Sequence, residues 1–525
     1  MVSELVGPSG TQMKKTLGLW GLTMNAMALI APGAFLWTTF QVQAAQTNGG
    51  VTTAGEMWTG LGAALILAFL TAFSYAELSS IYPHAGSGSS YFFAEAAFLD
   101  NEKESRRQWA RIAKFGVGWI SHLYYWIYPG IMVAFSATLV VYILGLFNIT
   151  LLMWQQIAVA AIFAFVNGYV AYRGMQGSTM TAVVISVIQL ISLAAFSILA
   201  VVYRLTHPAV EYATSVTSIL LPHNFMNLLF QCTIAILLLV GFESVTAYGE
   251  EAVNPKRHMR TAVILSLAIQ GVFAYLFEYF AANYFVGNQL TLADATGKMV
   301  TGYEAAATSG APIGDMLRVI GDTMLGGRGE VLMLIVAATV MFALVGTTLA
   351  CLNTAVRVTH AMAKDREMPS VFRLLHGKYA TPHWGIWMLV AVSAAVGGYG
   401  VLNVDNLTQI TLASNTGTFL VYGATNLIAL VAFYGRLGSR FFQHKLVPFL
   451  GLLANLFMLG ALVYLSLEAG GSTSTDTLVA LAVVMLWIAV GGIWFASNTH
   501  GFWPFRGRGH PLRMQVGTPP LQAID

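Results

Sequence analysis

The chain has 525 residues, of which 57% are hydrophobic and only 9% charged, against roughly 25% charged in an average soluble domain. A formal charge of +3 is small for this length, and the basic residues sit at the ends of apolar runs, which argues against a nucleic-acid-binding face. The only cysteines, Cys232 and Cys351, both fall in apolar runs, so neither a disulfide framework nor a paired-cysteine metal site is available.

Uncharged stretches such as Ser178 to Tyr203, Trp384 to Val404 and Thr477 to Thr499 are long enough to cross about 30 Å of hydrocarbon as helices. The expected fold is therefore an all-α integral membrane protein. In chain order the spans fall near 17–42, 56–80, 115–145, 150–172, 179–204, 225–250, 261–286, 331–362, 384–404, 407–435, 446–467 and 477–498, about twelve in all. Lys14 and Lys15 precede a first apolar run too long for a signal-peptide core, with no small-residue cleavage site before the next span. An uncleaved first helix is expected. With a cytoplasmic N-terminus, 22 of the 26 Lys and Arg residues lie inside and only Arg204, Lys298, Arg318 and Arg328 lie outside, the bias that fixes orientation in membrane proteins. Segments 1–16 and 499–525 then become cytoplasmic tails.

Spans 1 and 6 start on opposite sides of the membrane, and each weakens about fifteen residues in. Span 1 carries Ala31-Pro32-Gly33, where proline removes a backbone donor and glycine lowers helix propensity. Span 6 carries Gly241-Phe242-Glu243-Ser244. Paired interruptions of this kind point to a binding site in an inverted-repeat transporter, although a single kink is ordinary in a membrane helix.

Glu243 falls mid-span, where a carboxylate costs a few kcal/mol unless it faces a cavity or a partner. Two readings stand: a neutral acid donating to a free carbonyl at the helix break, or a carboxyl linked to protons or substrate. An unwound helix exposes N–H groups at one half-helix start and C=O groups at the other half-helix end, a match for the carboxylate and ammonium of an amino acid. Tyr124, Tyr125, Trp126 and Tyr128 in span 3 can line a pocket beside an organic cation or can simply anchor the helix. Thr347 and Thr348, one turn before Cys351 in span 8, can ligate a cation or can bond the preceding turn. Glu278 and His122 are polar residues in apolar surroundings without an assigned role. The sequence contains no phosphate-binding loop ending, no His-Glu-x-x-His arrangement and no nucleophile–base set, so an enzyme is not expected.

Three segments in order carry a resemblance to a known family. Tyr75-Ala-Glu-Leu-Ser-Ser-Ile-Tyr-Pro83 with Ala85-Gly86 and Ser90-Tyr91, Gly241-Phe-Glu-Ser through Asn254-Pro-Lys-Arg257, and Arg357 through Ala361-Met-Ala-Lys-Asp365 to Pro369 are similar to motifs of the amino acid–polyamine–organocation permeases. Asn415-Thr-Gly-Thr-Phe-Leu in span 10 adds to the resemblance, which covers residues from about 17 to 435. It implies a five-plus-five inverted-repeat core (17–204 and 225–435), two additional helices (446–498), and a substrate held at the breaks. The substrate set it implies at the breaks is Ala31, Pro32, Gly33, Gly241, Phe242, Glu243 and Ser244, to which Tyr124 and Tyr128 of span 3 and Cys351 of span 8 are added as candidates.

The chain departs from the family pattern at three points. Pro32 has no N–H to give a substrate carboxylate, which opens the alternative of an amine ligand. Gln189 occupies the neighbourhood where some relatives carry a span 5 lysine. The segment Ala85 to Tyr91 is longer than the family's by about two residues. Coupling then falls to a proton on Glu243, to Na⁺ at Thr347 and Thr348 with span 1 carbonyls, or to substrate exchange without an ion. No cofactor is expected. Partners are a small amino acid or amine and membrane lipid, in a monomer or homodimer of the plasma or bacterial inner membrane. A ligand-binding sensor on the same scaffold is the remaining alternative.

Overall fold

A computed structural model describes residues 17–30, 32–83, 89–101, 107–173, 178–207, 217, 221–249, 252–286, 290–294, 296–377, 379 and 381–498. Ala31 and the Ala85–Gly86 part of the span 2 motif lie outside these, and Pro32 and Gly33 are described by their backbone alone. The described chain is a helical bundle in which ten helices are long and apolar enough to cross a membrane. Two expected spans fall outside those ten. The first is described as α1 (Leu19–Ile30) and α2 (Pro32–Ala45), on either side of Ala31, which lies outside the described residues, and the ninth is an 18-residue helix, His383–Gly400, with polar or glycine residues at both ends.

The remaining helices follow the hydropathy. α3 (Met57–Ile81) is span 2, α5 (Arg107–Leu146) span 3, α6 (Met153–Arg173) span 4 and α7 (Ser178–Thr206) span 5. Span 6 is α8 (Phe225–Ala235) followed by two 3₁₀ segments, Ile236–Leu239 and Phe242–Tyr248. α9 (Pro255–Val286) is span 7, α12 (Gly329–Lys364) span 8, α13 (His383–Gly400) span 9, α14 (Val404–Phe433) span 10, α15 (Val447–Glu468) span 11 and α16 (Gly471–Asn498) span 12. Spans 3 and 7 begin several residues before the apolar runs suggest. Polar first turns continue a helix readily once it is nucleated.

The sequence expectations omit the short elements outside the spans. Helix α4 (Ser90–Asn101) follows span 2. Between spans 7 and 8 come a hairpin of β3 (Thr291–Ala293) and β4 (Met299–Thr301) and helices α10 (Gly302–Thr308) and α11 (Pro312–Met324). A first hairpin, β1 (Thr47–Asn48) with β2 (Val51–Thr52), turns through Gly49 and Gly50, both at positive φ, as a tight two-residue turn requires.

Spans 1, 3, 6, 8 and 10 meet at the centre, where the largest buried side chains include Trp37, Tyr75, Tyr124, Tyr128, Tyr422 and Phe242. Span 12 is tied to span 3 by a reciprocal pair. The Trp119 indole donates to the Trp487 carbonyl and the Trp487 indole to the Trp119 carbonyl, each at 2.9 Å, with the rings stacked 4.9 Å apart.

At the helix ends on the same side of the bundle the motif residues converge. Arg260 Nη2 lies 2.6 Å from Glu77 Oε1, and His444 Nε2 lies 3.3 Å from Glu77 Oε2. Lys114 Nζ bridges Glu95 (2.5 Å) and Asp365 (2.8 Å), and Tyr91 Oη donates to Asp365 at 2.8 Å. Beside them Arg111 pairs with Glu367 at 3.5 Å; burial pushes the Glu367 carboxyl up, and the Arg111 guanidinium opposes that shift. Three segments far apart in sequence are thereby joined at one end of the bundle.

Candidate functional site

The centre of span 6 is unwound by its own sequence. Val240 is extended (φ −69°, ψ 137°) and Gly241 stands at φ 130°, a backbone state that side chains disfavour. A Cβ on Gly241 would also lie 3.0 Å from the Ile30 nitrogen and 3.1 Å from Leu29 Cβ. The break in span 6 therefore presses directly on the end of α1, and only glycine allows that approach.

Glu243 folds back over this break. Its Oε2 accepts from the Gly241 N–H at 3.0 Å and from Tyr422 Oη at 3.2 Å, while Oε1 accepts from Tyr124 Oη at 2.5 Å. A carboxylate offers about four acceptor sites, so three donors leave room for an ammonium group or a proton. Ser244 Oγ donates to the Gly241 carbonyl at 2.6 Å, and Thr246 Oγ1 to the Glu243 carbonyl at 2.7 Å. The unwound segment is thus satisfied largely from within itself, as buried backbone groups must be.

Aromatic rings enclose the carboxylate. Phe242 lies 5.3 Å from Tyr422 and 6.0 Å from Tyr75, and Tyr124 lies 4.3 Å from Tyr125 and 5.6 Å from Tyr128. All six rings are buried. Tyr124 and Tyr422 meet the carboxylate through their hydroxyls, and the other rings surround it with apolar and π surface. Cys351 is buried in the same neighbourhood, close enough to Glu243 and Tyr128 to interact electrostatically.

The end of α1 is satisfied differently. Thr347 Oγ1 of span 8 donates to the Ala28 carbonyl at 2.9 Å, Gln270 Nε2 of span 7 to Met27 at 3.0 Å, and Ser186 Oγ of span 5 to Met24 at 3.3 Å. Thr347 thus meets a span 1 carbonyl, whereas Thr348 bonds Leu344 in its own helix at 2.7 Å. Gln189 lies one turn beyond Ser186 and lines a separate cavity of about 20 Å³ with Trp37, Ser192, Phe196 and Phe277. It does not hydrogen-bond Thr347 or Glu243; neither of its amide atoms has a partner. His122 bridges the Gly118 carbonyl and Thr359, tying span 3 to span 8.

Sequence reasoning missed Tyr422 and Tyr75 as members of the site. Tyr422 lies two turns beyond Asn415, whose amide donates to the Thr233 carbonyl at 2.7 Å and so docks span 10 against span 6. Tyr75 opens the span 2 motif and accepts from Ser90 Oγ at 2.6 Å and Thr425 Oγ1 at 3.2 Å. Both could have been found by reading those motifs as helix faces. Tyrosines in spans are so often packing residues that their number alone carries little.

The sequence profile of the family described as amino acid permease matches residues 16–490. The chain is 24% identical to a methylthioribose transporter of Bacillus subtilis, over 71% of this chain and 74% of that one. It is 24% identical to the low-affinity putrescine importer PlaP of Escherichia coli, over 94% and 96% of the two chains. It is 22% identical to the branched-chain amino acid permease BcaP of Bacillus subtilis, over 80% and 81%.

Proposed function

The chain belongs to the amino acid permease family, and from that premise we propose that it carries amino acids or related amines across a cell membrane by alternating access. The observation that carries this reading is the Glu243 carboxylate, held at the unwound centre of span 6 by Tyr124, Tyr422 and the Gly241 N–H within an aromatic enclosure. The ammonium of the substrate docks against this carboxylate and the surrounding ring faces. Movement rests on the two repeats, 17–204 and 225–435, rocking about the paired breaks, with residues 446–498 as accessory helices.

Glu243 is also the group that carries a coupling proton, which makes the protein a proton symporter or an exchanger. Thr347 with the Ala28 carbonyl is the alternative locus, for Na⁺. The protein resides in the cytoplasmic membrane with both termini inside, as the Lys and Arg distribution indicates, as a monomer or homodimer.

An amine or polyamine substrate is favoured by one specific feature. Pro32 cannot donate an N–H at the span 1 break, so a substrate carboxylate has fewer donors there while the carboxylate-lined end is intact. The putrescine-importing relative supports this second reading.

Reconstituted protein in liposomes, assayed with a panel of labelled amino acids and amines, tests both. Saturable, counterflow-competent uptake is expected for at least one class. Absence of saturable flux for every member overturns the transport reading, and binding without flux identifies a sensor instead.

A further inference from the structure

Glu278 of span 7 is fully buried and takes no part in the site above. It lies roughly 35 Å along its helix from Pro255, at about 1.5 Å per residue, near the opposite end from the Glu77–Arg260 pair. Gln43 of the outer half of span 1 donates its Nε2 to Glu278 Oε1. Gln231 of span 6 donates to the Gln43 carbonyl at 3.0 Å and to Thr53 Oγ1 at 2.8 Å. Three acceptor oxygens in this cluster, Gln43 Oε1, Glu278 Oε2 and Gln231 Oε1, are buried without a donor.

The groups facing Glu278 supply no positive charge among the described residues. Gln43 on span 1 bonds it, Tyr303 on α10 and Tyr275 on its own helix lie close enough to feel its charge, and Gln231 on span 6 reaches it only through Gln43. Glu56 adds negative charge by way of Tyr303, and the nearby Arg204 is engaged with Tyr279. A lone carboxylate with one neutral donor is a costly arrangement.

One hydrogen removes most of the deficit. An acid and a primary amide pair through two bonds, the amide N–H to one carboxyl oxygen and the acid O–H to the amide oxygen. The first of these bonds is present, and the two oxygens that the second would join are two of those left without partners. We propose that Glu278 is a proton-binding site in the outer half of the protein, with Gln43 as its amide partner, and that losing the proton loosens the outer half of span 1 from span 7. This role rests on the transport reading only for its consequence, because proton binding can be measured without flux.

Infrared difference spectroscopy of the purified full-length protein, titrated with acid and base in detergent, tests the site directly. The wild type is expected to contain a carbonyl-stretch band from a protonated buried carboxyl that disappears in Glu278→Gln and persists in Glu243→Gln. In Gln43→Leu, which keeps Glu278, the band is expected to remain with a changed frequency and titration midpoint. A wild-type spectrum unchanged by Glu278→Gln at every pH overturns the proposal. So does a band that responds to Na⁺ at constant pH instead of to pH. In liposomes that transport, Glu278→Gln is expected to flatten the dependence of uptake on external pH; full retention of that dependence overturns the coupling to the outer half.

Discussion

The break in span 6 draws its donors mainly from the residues around its own glycine, with Asn415 of span 10 serving the end of α8 before it, whereas the end of α1 depends on other helices. Span 6 satisfies its own interruption: Glu243 takes the Gly241 N–H, Ser244 returns a hydroxyl to the Gly241 carbonyl, and Thr246 caps Glu243. The end of α1 in span 1 borrows its donors from three other helices, Thr347, Gln270 and Ser186. A self-satisfied break keeps its shape while its neighbours move. A helix end satisfied from outside is exposed to any movement of its donors on spans 5, 7 and 8.

The largest effect is expected where the self-satisfied break meets the ligand. Glu243→Gln removes a charge-assisted contact of about 1.5–3 kcal/mol. Proton-driven uptake of the best substrate in the liposome panel should fall by one to two orders of magnitude, with less change in binding. An unaltered pH dependence of uptake would remove Glu243 from the proton role. Gly241→Ala forces a side chain into φ 130° and against Ile30, at about 1–3 kcal/mol. Both uptake and thermal stability in detergent should drop, and a variant as stable as wild type would contradict the close approach of Gly241 to the end of α1.

Thr347→Val keeps the shape of the side chain but strands the Ala28 carbonyl, costing roughly 1–3 kcal/mol. Its signature is an altered rate of exchange with little loss of fold, measured by counterflow alongside melting temperature. If Thr347 instead serves Na⁺, the same variant abolishes a Na⁺ response, and the two outcomes separate cleanly. Ser186→Ala should have the smallest effect, below about 1 kcal/mol, because its 3.3 Å contact is long for a hydroxyl donor. Equal effects of Thr347→Val and Ser186→Ala would mean that the α1 end does not depend on the individual donors.

The ten long apolar helices and the interruption of span 6 were legible in the sequence because long uncharged runs and glycine act locally. Glu243 was legible for a related reason, since a carboxylate in an apolar run is conspicuous by itself. The donors that hold it were not, because Tyr124 and Tyr422 come from spans 3 and 10 and meet only after folding. Glu278 shows the same limit: Gln43, Gln231 and Glu278 lie on three spans, and no spacing rule connects them. Gln189 illustrates the effect of depth along a helix, since it lies one turn beyond Ser186 on the same face and lines a cavity there instead of meeting α1. Helices α4, α10 and α11 escaped because hydropathy over long windows registers membrane crossings and passes over short elements at their edges.

The crossed tryptophans of spans 3 and 12 have a mechanical consequence. Each indole donates to the carbonyl of the residue bearing the other, at the same 2.9 Å. Sliding one helix along the other in either direction would stretch both bonds together, and rolling them would unstack rings held 4.9 Å apart. The joint opposes both sliding and rolling between the two helices, a splint across the wall that carries Tyr124.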